Sequence, residues 1–221
     1  MGGLPAEEKI MNFNRRDFMR YAAAFGLSAP VACRKSESEV KRMMGKDVFC
    51  KTDLKALSRE DVFDLIGQQW MLVTAGTSEK FNTMTASWGG VGWLWNQPVA
   101  FVFVRPERYT HDFLEAESRL TLSFYPESCR DKLKFCGTKS GREVDKVAET
   151  GLRPVRLESG AITFAQSRLT LDCRKLFKSS MTSDAFVDAS ILARWYGSQP
   201  GGALHDVYIA AIEQVYLPRV D

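Results

Sequence analysis

Seven consecutive apolar residues, Pro98-Val-Ala-Phe-Val-Phe-Val104, constrain the fold of this chain more than any other feature. The run is far shorter than the ~18–20 residues that a membrane helix needs, and no other stretch approaches that length. Its β-branched and aromatic side chains read as a strand buried on both faces. Similar runs flank it. Trp70–Thr74 is apolar and ends at Ala75-Gly76, and Asn82–Trp88 follows a polar turn. Arg119–Tyr125 alternates, with Leu120, Leu122 and Phe124 on one side. Ala161–Phe164, Leu169–Cys173 and Val207–Val215 add three more strands. Glycine and proline punctuation between them predicts a mainly β fold with short helices, an antiparallel barrel or sandwich. The helices are predicted to start at a cap over Ser58–Asp61 and to cover 109–117, 128–135, 143–150 and 188–196, with Gly151 closing the fourth.

Composition excludes several classes. With 45% hydrophobic and 26% charged residues the chain is globular rather than disordered. Lys+Arg 30 against Asp+Glu 27 gives +3, too balanced for a nucleic-acid binder. Two histidines and five cysteines without a CxxC pair argue against a zinc site. Beyond Cys33 stand Cys50, Cys129, Cys136 and Cys173. An exported chain can form disulfides, and four cysteines allow three pairings. Cys129 and Cys136 would stand about 10.5 Å apart along one helix, too far for a bridge, which favours buried free thiols.

The first 33 residues read as an address rather than as fold. Asn14-Arg-Arg-Asp-Phe-Met-Arg20 precedes a weakly apolar stretch of small residues, in the manner of a twin-arginine export signal. A short amphipathic surface helix is the alternative, but the segment has no opposite polar face. Met11 would begin a shorter leader. Val31-Ala-Cys33 resembles a lipobox, with Pro30 where a leucine-like residue is usual, so a lipid anchor at Cys33 is a second expectation. The expected location is outside the cytoplasm, periplasmic or attached to the membrane surface as a lipoprotein. Residues 34–47 read as a charged tether, and residues 48–221 as one domain.

Three segments carry more polar and glycine residues than a barrel requires. Asn82-Thr-Met-Thr-Ala-Ser-Trp88 puts Thr83, Thr85 and Ser87 on one strand face, able to solvate an anion or a polar ring edge. Arg105-Pro-Glu-Arg-Tyr-Thr110 joins a strand end to a helix start, where guanidinium forks and free N–H groups can clamp a phosphate. Phe135-Cys-Gly-Thr-Lys-Ser-Gly-Arg-Glu-Val-Asp-Lys146 is a pliable loop with three cations, Lys139, Arg142 and Lys146. Each also has a plain reading, as a wet strand face, surface charge or a solvated loop. His205 opens the last strand, as a surface residue or as a proton donor or substrate contact. No nucleophilic triad, GxGxxG or P-loop occurs. Trp88-Gly-Gly-Val-Gly-Trp-Leu-Trp95 is either a plug closing the barrel or an interface patch.

In order, these three segments resemble the flavin reductase family, in particular its flavoredoxin-like branch, from about Gln69 to the C-terminus. The resemblance implies an antiparallel Greek-key, FMN-binding split barrel that forms a homodimer with FMN near the subunit interface. It implies that Thr85, Ala86, Ser87 and Trp88 border the flavin, and that Asn82, Thr83 and Met84 belong to the same cofactor-binding strand. Arg105, Arg108, Tyr109 and Thr110 would lie near the phosphate and ribityl chain, with Lys146 adding charge and Ser140 on the same loop. No residue is singled out as catalytic. The implied chemistry is oxidoreduction through bound flavin, with electrons from NAD(P)H. A carrier serving a protein redox partner, without turnover of its own, is the alternative. The sequence departs from the family at Tyr208-Ile-Ala-Ala211, where relatives often read Tyr-Ile-Gly-Glu.

Overall fold

The structure is a computed structural model that describes residues 44–197 and 203–219. The expected export signal, Cys33 and the expected tether up to residue 43 lie outside the described residues, which all belong to one compact unit, Lys35–Asp221. The last tether residues are already part of the body. Met44 bridges to Arg156, and Gly45–Val48 (α1) forms one helical turn with Gly45 buried.

Ten strands follow: β1 (Phe49–Thr52), β2 (Met71–Gly76), β3 (Phe81–Ala86), β4 (Gly89–Leu94), β5 (Gln97–Val104), β6 (Arg119–Phe124), β7 (Pro154–Arg156), β8 (Ile162–Phe164), β9 (Leu169–Ser180) and β10 (Asp206–Pro218). Eight form one sheet in the order β3-β2-β6-β9-β10-β5-β4, with β1 added to β10, and every pairing is antiparallel. The two ends of this order share one core. Met84 and Ala86 of β3 pack in the same buried cluster as Ala100, Val102 and Val104 of β5, Leu120, Leu122 and Phe124 of β6, and Tyr208 and Ala210 of β10. The sheet is therefore rolled around a single apolar interior, the barrel of the two alternatives left by the strand pattern and the split-barrel class implied by the resemblance. Burial of this cluster stabilises the barrel at roughly 25 cal/mol per Å² of apolar surface removed from water.

Helices and a hairpin cover parts of the outer face. Arg130–Thr138 (α4) lays Leu133 and Cys136 over Leu72 and Phe164. The β7–β8 hairpin covers the back of β6, where Thr121 donates to the Ile162 carbonyl at 2.6 Å and Ser123 meets Thr163 at 2.8 Å. A strand covered on both faces can bury hydroxyls only when they are paired in this way.

Several sequence expectations need correction. β5 is not buried on both faces. Ala100, Val102 and Val104 point inward and are sealed, but Phe101 and Phe103 stay half-buried because β5 borders the edge strand β4. Asp61, not Ser58, caps the helical segment that follows, Val62–Asp64 (α2), accepting from the Phe63 and Asp64 amides. The tryptophan-glycine stretch is an edge strand, and Trp93 and Trp95 are 67% and 54% exposed, which excludes a barrel plug. Cys129, Cys136 and Cys173 are buried free thiols, whereas the thiol of Cys50 lies on the exposed β1.

Candidate functional site

The helix Tyr109–Ala116 (α3) starts five residues after β5 ends, so Arg105, Arg108, Tyr109 and Thr110 share one strand-to-helix corner. The corner is tied to β3 by Asn82, whose amide donates to the Thr110 hydroxyl at 2.7 Å. The loop after α4 closes over both. A Cβ at Gly141 would stand 2.0 Å from Asn82 Oδ1, so a residue without a side chain is required for this approach. Arg142 fastens the loop to α3. It donates to the Glu107 carbonyl at 3.1 Å and to Asp112 at 2.7 Å, and its guanidinium lies 4.6 Å from the Tyr109 ring. Ser140 accepts the Arg142 amide.

The loop ends at Asp145, which caps Lys146–Thr150 (α5) by accepting from the Val147 and Ala148 amides. Lys146 thereby turns inward. It is only 6% exposed and donates to the carbonyls of Thr83 (2.8 Å) and Cys136 (2.9 Å). Burial lowers its pKa to about 8, partly offset by Cys136 and reinforced by the Arg108 charge. The Cys136 thiol is pushed up to about 11 by the same burial. Between β3, α3 and this loop lies a cleft of about 800 Å³, lined by Lys80, Asn82, Thr83, Tyr109, Arg142 and Lys146 among others.

A second cluster stands beyond the end of β3. Trp88 packs edge-on against Trp195 at 5.2 Å and lies 5.2 Å from the His205 ring. Trp195 ends the helix Ala189–Trp195 (α6), in the excursion that joins β9 to β10. Tyr196 hydrogen-bonds His205 Nδ1 at 2.7 Å. Arg105 is 9% exposed, donates to the Trp195 carbonyl at 3.0 Å and lies 5.0 Å from the Tyr196 ring. Burial, with the charges of Arg105 and Arg108, holds His205 down at about 4, so the imidazole is neutral at physiological pH. The charge of Arg108 lowers the pKa of both His205 and Lys146.

The sequence-derived residues therefore divide. Asn82, Thr83, Tyr109 and Lys146 line the cleft, with Thr110 and Ser140 bonded behind it. Trp88 and Arg105 belong to the aromatic wall. Met84 and Ala86 are barrel core. The open hydroxyl face is not present: Thr83 bonds Thr74 at 2.9 Å, and Thr85 donates to the Leu133 carbonyl at 2.5 Å beneath α4. Ser87 is half-buried just past β3. Ala210 and Ala211, at the departure from the family pattern, are both buried, with Ala210 in the barrel core. The wall residues Trp195 and Tyr196 were not expected, since only their helix was legible. Nor was the cluster of His111, Glu115 and Asp206, whose ligand atoms lie within 4.8 Å of one another. The Lys178 ammonium binds two of these groups, 2.7 Å from Glu115 and 3.0 Å from Asp206, making this an ion-pair network. Although burial opposes it, hydrogen bonds from Ser180, His111 and Lys178 hold Asp206 down at about 2.

The flavin reductase like domain matches residues 63–220, which contain both clusters. Among solved structures, flavoredoxin of Desulfovibrio vulgaris (Miyazaki F) is 20% identical with a TM-score of 0.52, over 78% of this chain and 77% of its own. Flavoredoxin from Methanosarcina acetivorans is 19% identical with a TM-score of 0.53, over 67% and 68%. An FMN-binding protein from Thermus thermophilus, solved with p-hydroxybenzaldehyde, is 20% identical with a TM-score of 0.51, over 66% and 69%. At such identities the likeness is one of fold. No curated protein matches the sequence.

Proposed function

The chain belongs to the flavin reductase-like domain family, and on that premise we propose that it is a flavin-dependent redox protein with FMN as its cofactor. One observation carries the reading: an aromatic wall of Trp88, Trp195 and His205 and a cationic cleft around Arg142 and Lys146 meet at one strand-to-helix corner, which gives Arg105 to the wall and Tyr109 to the cleft. The donor set fits the cofactor. A phosphate with nearly two negative charges calls for ammonium and guanidinium partners, and Lys146 has three N–H donors but two carbonyl acceptors. Bound FMN supplies the hydride and electron-transfer chemistry.

In this reading Lys146, Arg108 and Arg142 hold the phosphate. Asn82 keeps the glycine loop seated so that these cations converge. Trp88 borders the ring, with Trp195 and His205 behind it. Neutral His205 offers hydrogen bonding without adding a charge. The solved flavoredoxins and the FMN-binding protein of the same fold support the choice of FMN. We further propose that the protein is exported and works as a homodimer. Nicotinamides are scarce outside the cytoplasm, so export favours a carrier fed by a protein donor over an NAD(P)H-driven reductase.

The test begins with the absorbance spectrum of purified protein, which should have flavin bands near 370 and 450 nm (roughly, for any protein-bound flavin). Apoprotein titrated with FMN and with riboflavin should prefer FMN by about one to two decades, the worth of one charge-assisted phosphate contact. Equal affinities would remove the phosphate site, and binding of neither would remove the function. Bleaching of the bands by NADH or NADPH distinguishes the reductase from the carrier.

A further inference from the structure

The resemblance places Arg105 with the flavin phosphate, but the geometry gives its side chain other work. Arg105 follows β5, is nine-tenths buried, and faces away from the cleft lining toward the excursion that runs from Met181 to His205. Its Nη2 donates to the carbonyl of Trp195, the last residue of α6. A helix C-terminus leaves such carbonyls without an internal partner and carries partial negative charge, so a guanidinium there caps the helix. The same group lies over the Tyr196 ring at 5.0 Å, and its other nitrogen is 3.7 Å from Glu107. Trp195 in turn packs edge-on to Trp88, Tyr196 hydrogen-bonds His205, and the Met181 amide donates to the His205 carbonyl. One buried cation thus fastens the far end of the excursion to the corner where the barrel presents Trp88.

We propose that Arg105 is a positioning residue: it caps α6 and so holds Trp195, Tyr196 and His205 against Trp88, building the wall for a planar ring while the phosphate is recognised elsewhere. This role rests on the flavin reading above. Losing the cap frees Trp195, already 44% exposed, from Trp88 and rehydrates His205, whose two nearby arginine charges become one. A loosened wall weakens every ligand bearing the ring, whether or not it carries a phosphate.

Arg105→Ala tests this in two ways. Apoprotein is titrated with FMN and with riboflavin, and His205 is titrated by proton NMR. The chain has only two histidines, so His111→Gln assigns the signals. Both flavins should lose affinity by a similar factor, about tenfold for a 1.4 kcal/mol loss, and the His205 midpoint should climb from about 4 toward its ordinary 6.5. Weaker FMN binding with riboflavin unchanged would overturn the proposal in favour of a phosphate clamp. An unmoved His205 midpoint would overturn it as well. If the wild-type protein binds neither flavin, the flavin reading fails, and limited proteolysis still decides whether Arg105 anchors the excursion: Arg105→Ala should be cut faster between Met181 and Trp195 than the wild type, and equal cutting would overturn the anchor. If Arg105→Ala does not fold, Arg105→Met keeps the bulk without the donors and carries the same readouts.

Discussion

Lys146 puts opposite pH signs on stability and on ligand binding. Burial lowers its pKa to about 8 from an ordinary 10.5. Below pH 8 the lysine is charged in both folded and unfolded chains, and the full penalty of burying the ammonium is present. Between 8 and 10.5 the unfolded chain still holds the proton and the folded chain has lost it. The unfolded state then binds more protons, so the lysine's contribution to apoprotein stability rises with pH across that window. Phosphate binding requires the charged form and runs the other way. FMN affinity should fall as pH rises past about 8, approaching tenfold per pH unit, while riboflavin affinity stays level. The Cys136 thiol, raised to about 11, is neutral in this range, and Arg108 and Arg142 stay charged. Phosphate's own second ionisation, near 6, lies below the window. Lys146→Arg should remove the FMN slope, because guanidinium does not deprotonate. Dissociation constants from flavin fluorescence between pH 6.5 and 9.5 measure this, and a level FMN curve for the wild type would refute the assignment of Lys146 to the phosphate.

Among the elements, the β4–β5 hairpin holds a conflict that points to function. Trp95 and Asn96 form its two-residue turn, both with positive φ, 51° and 57°. A turn of this hand favours Asn-Gly, and a bulky residue in the left-handed region is strained by roughly 1–2 kcal/mol. Trp95 is nonetheless half exposed, against Phe177 at 6.2 Å and near the exposed Trp93. Strain kept at a surface tryptophan suits a contact made with a second copy of the chain. Trp95→Asn should therefore raise the thermal midpoint of the monomer while shifting the protein from dimer toward monomer. Light scattering over a concentration series and calorimetry read the two effects, and a wild type that is monomeric at micromolar concentration would sink the interface. This strand was hidden from sequence reasoning for a physical reason. Gly89, Gly90 and Gly92 have low strand propensity, and β4 exists because it pairs with β5. A Cβ at Gly89 would stand 2.7 Å from the Phe101 carbonyl oxygen, so this glycine permits the close approach of the two strands. β2, β5 and β6, by contrast, were legible because their own side chains are the core.

At the scale of the whole molecule, the cleft was partly readable and the wall was not. Asn82, Thr110 and Lys146 sit on three recognisable motifs whose order could be read along the chain. The wall depends on where the β9–β10 excursion folds back, and nothing local in Trp195-Tyr196 says that it meets Trp88, more than 100 residues earlier. Tertiary placement of this kind leaves no periodic trace. Location is the opposite case, since the proposed export rests on residues 1–33 alone. In that proposal Arg15-Arg16-Asp17-Phe18, ahead of a weakly apolar stretch, is the address that a receptor would read through its paired guanidinium groups. Arg15→Lys together with Arg16→Lys keeps the charge but removes both forks, which are not interchangeable with ammonium. The double variant should remain in the cytoplasm as an uncleaved, flavin-loaded precursor. Cell fractionation with immunoblotting separates the outcomes: retention of the variant, with the wild type outside, supports the address, and equal delivery of both to the periplasm would show that the paired arginines do not direct export.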